Sequence, residues 1–150
     1  GLEKTGVVGF AGRRAVSMLR VLFREAARAD ADTLVRACLA QRGVEVFHNS
    51  QGVEGLCLLL IAKPGQDALH AACDEVRRLL PGAQVKLREN LAALLALCRT
   101  TREVPKLAAA MESAGVPVHH LVQTPPGALF CVNDSQYETA LRAAYALAFG

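Results

Sequence analysis

The chain has no tryptophan, and aromatic residues make up only 5% of its 150 residues. A platform that stacks unpaired bases needs several exposed rings, so single-stranded nucleic acid is a poor fit. An excess of one charge is missing too: 17 Lys and Arg against 14 Asp and Glu leave a net charge of +3. That is too thin for the concentrated basic stripe of a nucleic-acid binder. No Cys-x-x-Cys spacing occurs, and the five cysteines, at 38, 57, 73, 98 and 131, each sit within an apolar stretch. An odd number without pairing spacings reads as buried free thiols in a reducing compartment, the cytoplasm, and not as a disulfide framework. Long apolar runs are absent as well. The central one, Leu56 to Ala62, is far shorter than a membrane span. The opening Gly-Leu-Glu-Lys has no signal-peptide character, and without an initiating Met it reads as the start of a piece cut from a longer chain.

What is present is a chain with 52% hydrophobic residues, too apolar for disorder. Its length suits one ordinary domain or two small ones. An internal repeat decides between them. Shifted by 72 positions, Gly43, Val44, Val46 and His48 fall on Gly115, Val116, Val118 and His120. Gln51 falls on Gln123, and Gly55 on Gly127. Ala68, Leu69, Ala71 and Ala72 fall on Ala140, Leu141, Ala143 and Ala144, giving ten identities in the thirty positions from 43 to 72. Two units of about 72 residues follow, each small for independent stability.

Local patterns agree between the units. Val16 to Phe23 reads as a strand. Ala31-Asp32-Thr33 offers a cap for a helix running to about Arg42, stopped by Gly43. Val44 to Asn49 alternates as a strand, Ser50 to Gly52 reads as a turn, and Glu54 to Ala62 is a near-continuous apolar strand. Asp67 to Leu80 has helical periodicity, and Ala83 to Arg88 reads as a strand. In the second unit, Leu91 to Cys98 is a strand and Thr100-x-x-Glu103 a capping box before a helix ending at Gly115. Strands at Pro117 to Gln123 and Ala128 to Asn133 follow. A helix from Ser135 to Phe149 opens on a second box, Ser135-x-x-Glu138. The order is βαββαβ, then βαββα. The second unit lacks a closing strand, and Thr5 to Phe10 is the spare apolar segment that would supply it by crossing over.

Two such consecutive units resemble a tandem pair of ACT domains, and more narrowly the C-terminal regulatory region of aspartate kinase. Ser50-Gln51-Gly52 after a Val-x-Val strand resembles the family's Ser-Gln-Gly, with Val122-Gln123-Thr124 as its counterpart. Lys4-Thr5-Gly6-Val7-Val8 resembles the short strand that precedes the family's first ACT strand and completes the second unit. The closing Leu-Ala-Phe-Gly is similar to the end of the family's last helix. The fold so implied is α+β: two ferredoxin-like units, each an antiparallel four-stranded sheet with two helices on one face. The first covers 16–88, the second 89–150 with 4–10. The function implied is regulation of an aspartate kinase by an aspartate-family amino acid such as lysine or threonine, together with homodimerisation through the ACT units. The Lys-Phe-Gly-Gly opening of the kinase domain is absent, so catalysis belongs to an upstream domain.

The resemblance points to Gln51 and Gln123 as effector contacts, since an amide both donates and accepts hydrogen bonds. Asn49 and Ser50 share the location of Gln51. Asp30 and Asp32 lie before the first helix, where one could take a ligand ammonium, while Asp32 doubles as a cap. The family's first loop usually carries Gly, exposing amides to a carboxylate at a helix N-terminus. Arg24 to Asp32 and Arg99 to Glu103 carry none. This keeps open an alternative, a tandem ACT assembly module that has lost its effector. No cofactor is implied. His70 and Cys73 at i, i+3 have no second pair at zinc spacing. Gly6-Val-Val-Gly9-Phe-Ala-Gly12 lacks the Gly-Lys-Ser/Thr ending of a phosphate loop.

Overall fold

The computed structural model describes residues 6–23, 28–51, 55–61 and 65–150. It is an α+β chain. Six strands are β1 (Val7–Leu22), β2 (Glu45–Gln51), β3 (Gly55–Ile61), β4 (Gln84–Cys98), β5 (His120–Thr124) and β6 (Gly127–Asn133). Among the described residues four helices accompany them: α1 (Arg28–Gln41), α2 (Gln66–Leu79), α3 (Glu103–Ser113) and α4 (Tyr137–Phe149), the last preceded by a 3-10 turn at Asp134–Gln136. Hydrogen-bonded strands follow the order β2-β3-β1-β4-β6-β5. The chain divides into two compact units. One is Val16–Glu89; the other is Asn90–Gly150 with the described residues up to Ala15. Strands β1 and β4 therefore each give one half to each unit.

In the unit of residues 16–89, β3 lies antiparallel between β1 and β2, with Leu22 opposite Gly55 and Gln51 opposite Leu56. Alternate residues Leu56, Leu58 and Leu60 share a core with Leu19 and Val21, with Val35 and Leu39 of α1, and with Leu69 and Val76 of α2. In the other unit β6 lies between β4 and β5, with Leu97 opposite Gly127 and Gln123 opposite Ala128. Its core joins Leu94, Phe130 and Val132 to Leu107 and Met111 of α3, to Ala140, Ala144 and Ala148 of α4, and to Val7 of β1. The 72-residue repeat is thus a repeat of register. Gly55 and Gly127 each face the backbone of the neighbouring strand, where a Cβ would run into the carbonyl oxygen of Val21 or of Ala96.

The strands are longer than the sequence pattern suggests. Thr5–Phe10 and Val16–Phe23 read as separate segments, yet one strand runs unbroken from Val7 to Leu22; likewise Ala83–Arg88 and Leu91–Cys98 merge in β4. Ala11–Ala15 are exposed, so no apolar alternation marks them. A strand is held by its backbone ladder, which polar sequence supports equally well. Each long strand carries one left-handed residue where it passes between units, Ala15 (φ 55°) and Asn90 (φ 58°). Asn tolerates this conformation better than Ala.

The residue just before each of these is tied to its own unit's second helix region. Glu89 Oε1 lies 2.8 Å from Nε2 of His70 on α2. The Arg14 guanidinium donates to Asp134 Oδ2 at 3.0 Å and to the Asp134 carbonyl at 3.2 Å, while the Ala15 amide donates to Asp134 Oδ1 at 3.0 Å. These bonds hold the Asp134 carboxyl below its ordinary range.

Helix starts also differ from the pattern. Helix α1 begins at Arg28, so Asp32 lies in its second turn and pairs with Arg36 at 2.8 Å instead of capping. The Ala-rich stretch ahead of it is helix-favouring and overrides the cap signal. The Thr100 and Ser135 boxes are not used: α3 starts on Glu103 itself, and Ser135 sits in the 3-10 turn, neither helix having a side-chain cap.

Strand β2 carries a bulge between Val46 and His48, which sets His48 opposite Leu59. His48 Nε2 is buried without a hydrogen bond, and desolvation holds the imidazole pKa below its usual value. The unfolded chain therefore binds this proton first as pH falls. The stability contribution is complete above the unfolded value of about 6.5 and is lost progressively below it. Urea midpoints compared between about pH 7 and pH 5 should fall less in His48→Gln than in the parent; equal falls would exclude this source.

Candidate functional site

A cleft of about 170 Å³ opens in the unit of residues 90–150. Its walls come from the end of β4 (Cys98), the connection to α3 (Arg99, Thr100, Thr101), the end of β5 (Gln123) and the Pro125-Pro126 turn that leads into β6. The turn is tied back to β4 by the Cys98 amide donating to the Pro126 carbonyl at 2.8 Å. The Arg99 amide donates to the Gly6 carbonyl of the N-terminal segment at 2.8 Å. The Gly115 positive φ and its amide bond to Glu112 close the far end of α3.

The chemistry of these walls is mixed. Helix α3 starts at this end, but its first turn offers few free donors, since Pro105 has no N–H and the Val104 amide donates to the Thr101 carbonyl at 3.2 Å. Arg99, Thr100 and Thr101 are exposed and offer a guanidinium and two hydroxyls. The Gln123 amide adds a donor and an acceptor. Val104 and the prolines supply an apolar side. Such walls suit a small zwitterion: donors for a carboxylate, an amide oxygen or hydroxyl for an ammonium, and an apolar strip for carbon.

Of the residues named from sequence as effector contacts, Gln123 alone lines this cleft. Gln51 holds the matching register position in the other unit, exposed at the end of β2. Ser50 and Gln51, expected in a turn with Gly52, instead belong to β2 and pair with Cys57 and Leu56; Gly52 lies outside the described residues, as does Arg24. Asn49 is exposed on the same strand, and Ser50 hydrogen-bonds the Cys57 thiol. Asp30 is exposed in the first turn of α1, and Asp32 is engaged by Arg36. Arg99, Thr100 and Thr101 were not among the candidates; projecting the first strand-to-helix loop through the repeat would have found them.

Burial raises the thiol pKa values of Cys38, Cys57, Cys73 and Cys98, that of Cys73 to about 11. Protonated thiols at neutral pH are poor nucleophiles. Among the described residues no three His, Cys, Asp or Glu side chains are placed to hold a metal ion. No described helix is long and apolar enough to cross a membrane.

No family model and no curated protein matches the sequence. Solved structures do match. The ligand-free regulatory subunit of aspartate kinase from Thermus thermophilus is 23% identical with a TM-score of 0.71, covering 97% of this chain and 99% of that one. Aspartate kinase from Clostridium acetobutylicum, described as an allosteric enzyme, is 15% identical with a TM-score of 0.82 over 94% of this chain. E. coli aspartokinase III in complex with lysine and aspartate is 15% identical with a TM-score of 0.70 over 97%. This chain spans 34% of the length of each of the latter two. The fold is that of the regulatory subunit and of one part of the longer enzymes.

Proposed function

We propose that the chain is the non-catalytic regulatory region of an aspartate-kinase-like enzyme, built as two ACT units at 16–88 and at 89–150 with 4–10. The observation that carries this reading is end-to-end coverage: the fold matches a whole regulatory subunit, with 97% of this chain and 99% of that one superposed. The interleaved arrangement is supported by Val7 in the core with Leu94 and Phe130, and by the Arg99 amide on Gly6. The ligand is an aspartate-family amino acid such as lysine or threonine, with Gln123 as a contact and Gln51, Asn49, Ser50, Asp30 and Asp32 as candidates in the other unit. The parent protein is a cytoplasmic homodimer joined through its ACT units, with a kinase domain upstream. Regulation works by differential affinity of the amino acid for two arrangements of the assembly.

A thermal-shift panel of the twenty amino acids tests the sensing role. A ligand at about one hundred times its dissociation constant adds roughly 2.7 kcal/mol, a rise of several degrees for a chain of this size. Lysine or threonine should give that rise; a flat panel favours the second reading, an assembly module without effector. That reading has its own support in the Gly-free loop from Arg99 to Glu103, where the Arg99 amide, like that of Cys98 just before it, is already bonded within the protein.

A further inference from the structure

One wall of the Gln123 cleft is anchored by a segment from the other end of the chain. The 99–101 stretch is held at one end by the Val104 amide, which donates to the Thr101 carbonyl at 3.2 Å. At its other end the Arg99 amide donates to the Gly6 carbonyl at 2.8 Å. Gly6 and Val7 are not among the described walls of the cleft, yet they fix where one of those walls stands.

Further contacts tie the same two residues to the cleft. Gly6 adopts a φ of 71°, a conformation that residues with a side chain rarely take. Its Cα faces the first residue of α3: a Cβ there would stand 3.3 Å from Glu103 Oε1. Glu103 is buried, and its carboxylate adds to the burial that raises the pKa of the Cys98 thiol in the cleft wall. Val7 is 1% exposed and shares its core with Cys98 and Val104, both of which line the cleft. The next residues differ. Val8 is exposed, and a Cβ on Gly9 would meet nothing within 4 Å. The link to the wall is therefore concentrated at Gly6 and Val7.

We propose that the seating of Gly6 and Val7 is coupled to occupation of the cleft, so that the N-terminal end of β1 is the element through which the cleft signals. The inference rests on the amino-acid-sensing role proposed above and supplies its output. Strand ends open locally at lower free energy than the core. When this end opens, the Arg99 amide loses its acceptor and the wall loses an anchor, so a ligand held between that wall and Gln123 binds the seated form better. Linkage makes the effect reciprocal: the ligand stabilises the seated strand by the factor that unseating weakens the ligand. A domain joined ahead of β1 would feel the ligand through the chain itself. Gly6, Val7 and Glu103 act here as positioning residues.

Threonine and lysine are the probes, titrated calorimetrically into the 150-residue protein and two variants. Gly6→Ala strains the backbone at positive φ and crowds Glu103, and it should weaken whichever probe binds by about tenfold. Gly9→Ala, on the same strand with open space at its Cβ, should leave the affinity unchanged. Hydrogen exchange on the unsubstituted protein reads the coupling without any variant, and decides alone should Gly6→Ala not fold. A saturating probe should slow exchange across residues 7–10 at least about fivefold. The Ala114 amide, bonded to Ala110 at the far end of α3, should keep its rate. A probe that binds the parent but leaves residues 7–10 exchanging as before, slows Ala114 equally, or binds Gly6→Ala and Gly9→Ala alike would overturn the coupling and leave sensing intact. If neither probe binds the parent at about 10 mM, the sensing role fails and the coupling with it.

Discussion

Phe130→Ala should cost about 4 kcal/mol of stability, the middle of the range for a buried Phe. Phe130 is fully buried on the central strand of its unit, between β4 and β5, opposite Leu94 and Leu121. The helix packed in the same core offers Ala140, Ala144 and Ala148. Alanine has no rotamers with which to reach into a void, so the cavity stays open and its lining loses dispersion contacts. In urea the midpoint should drop at constant slope, and the melting temperature should fall by roughly 10 °C. A loss below about 1 kcal/mol would mean that the site collapses freely, contrary to the packing described.

Gly127→Ala should cost about 3 kcal/mol, and Gly55→Ala a similar amount, at the upper end for inserting one methyl group into packed structure. The obstacle in each case is a carbonyl oxygen of the adjacent strand, Ala96 for Gly127 and Val21 for Gly55. A side chain could rotate aside, whereas a paired backbone can move only by breaking its ladder. Gly82→Ala is the control. Its Cβ meets nothing within 4 Å, and it should fall within about 0.5 kcal/mol of the parent. If Gly127→Ala and Gly82→Ala unfold at the same urea concentration, the close approach of β6 to β4 is wrong.

Gly55 and Gly127 also show why much of the fold was legible in the sequence. They are among the ten identities of the repeat, and identity there reflects a backbone approach that tolerates no side chain. The apolar strands β3 and β6 and the helix ending at Gly115 were readable for similar local reasons. The middle of β1 was not. Ala11 to Ala15 present no apolar alternation, and what holds them in place is the link from Arg14 and Ala15 to Asp134, 119 and 120 residues away. The caps at Asp32, Thr100 and Ser135 misled because a cap residue marks a helix start only where no stronger helix former precedes it and no 3-10 turn intervenes.

Part of the cleft was legible. Gln123 was singled out through its match to Gln51, and it is one of the residues lining the cleft. The other walls come from Arg99, Thr100 and Thr101 on one connection and Pro125–Gly127 on another. Their convergence is a consequence of β4 and β6 pairing side by side, a long-range fact that spacing does not encode.

The central claim is that this chain senses an amino acid through the cleft at Gln123. Isothermal titration of lysine and of threonine into the parent and into Gln123→Ala tests it most directly. One of the two should bind the parent saturably, and Gln123→Ala, a change at an exposed position that leaves the melting temperature in place, should weaken it about tenfold. No heat from either amino acid at about 10 mM, or identical affinity in the variant, would contradict it.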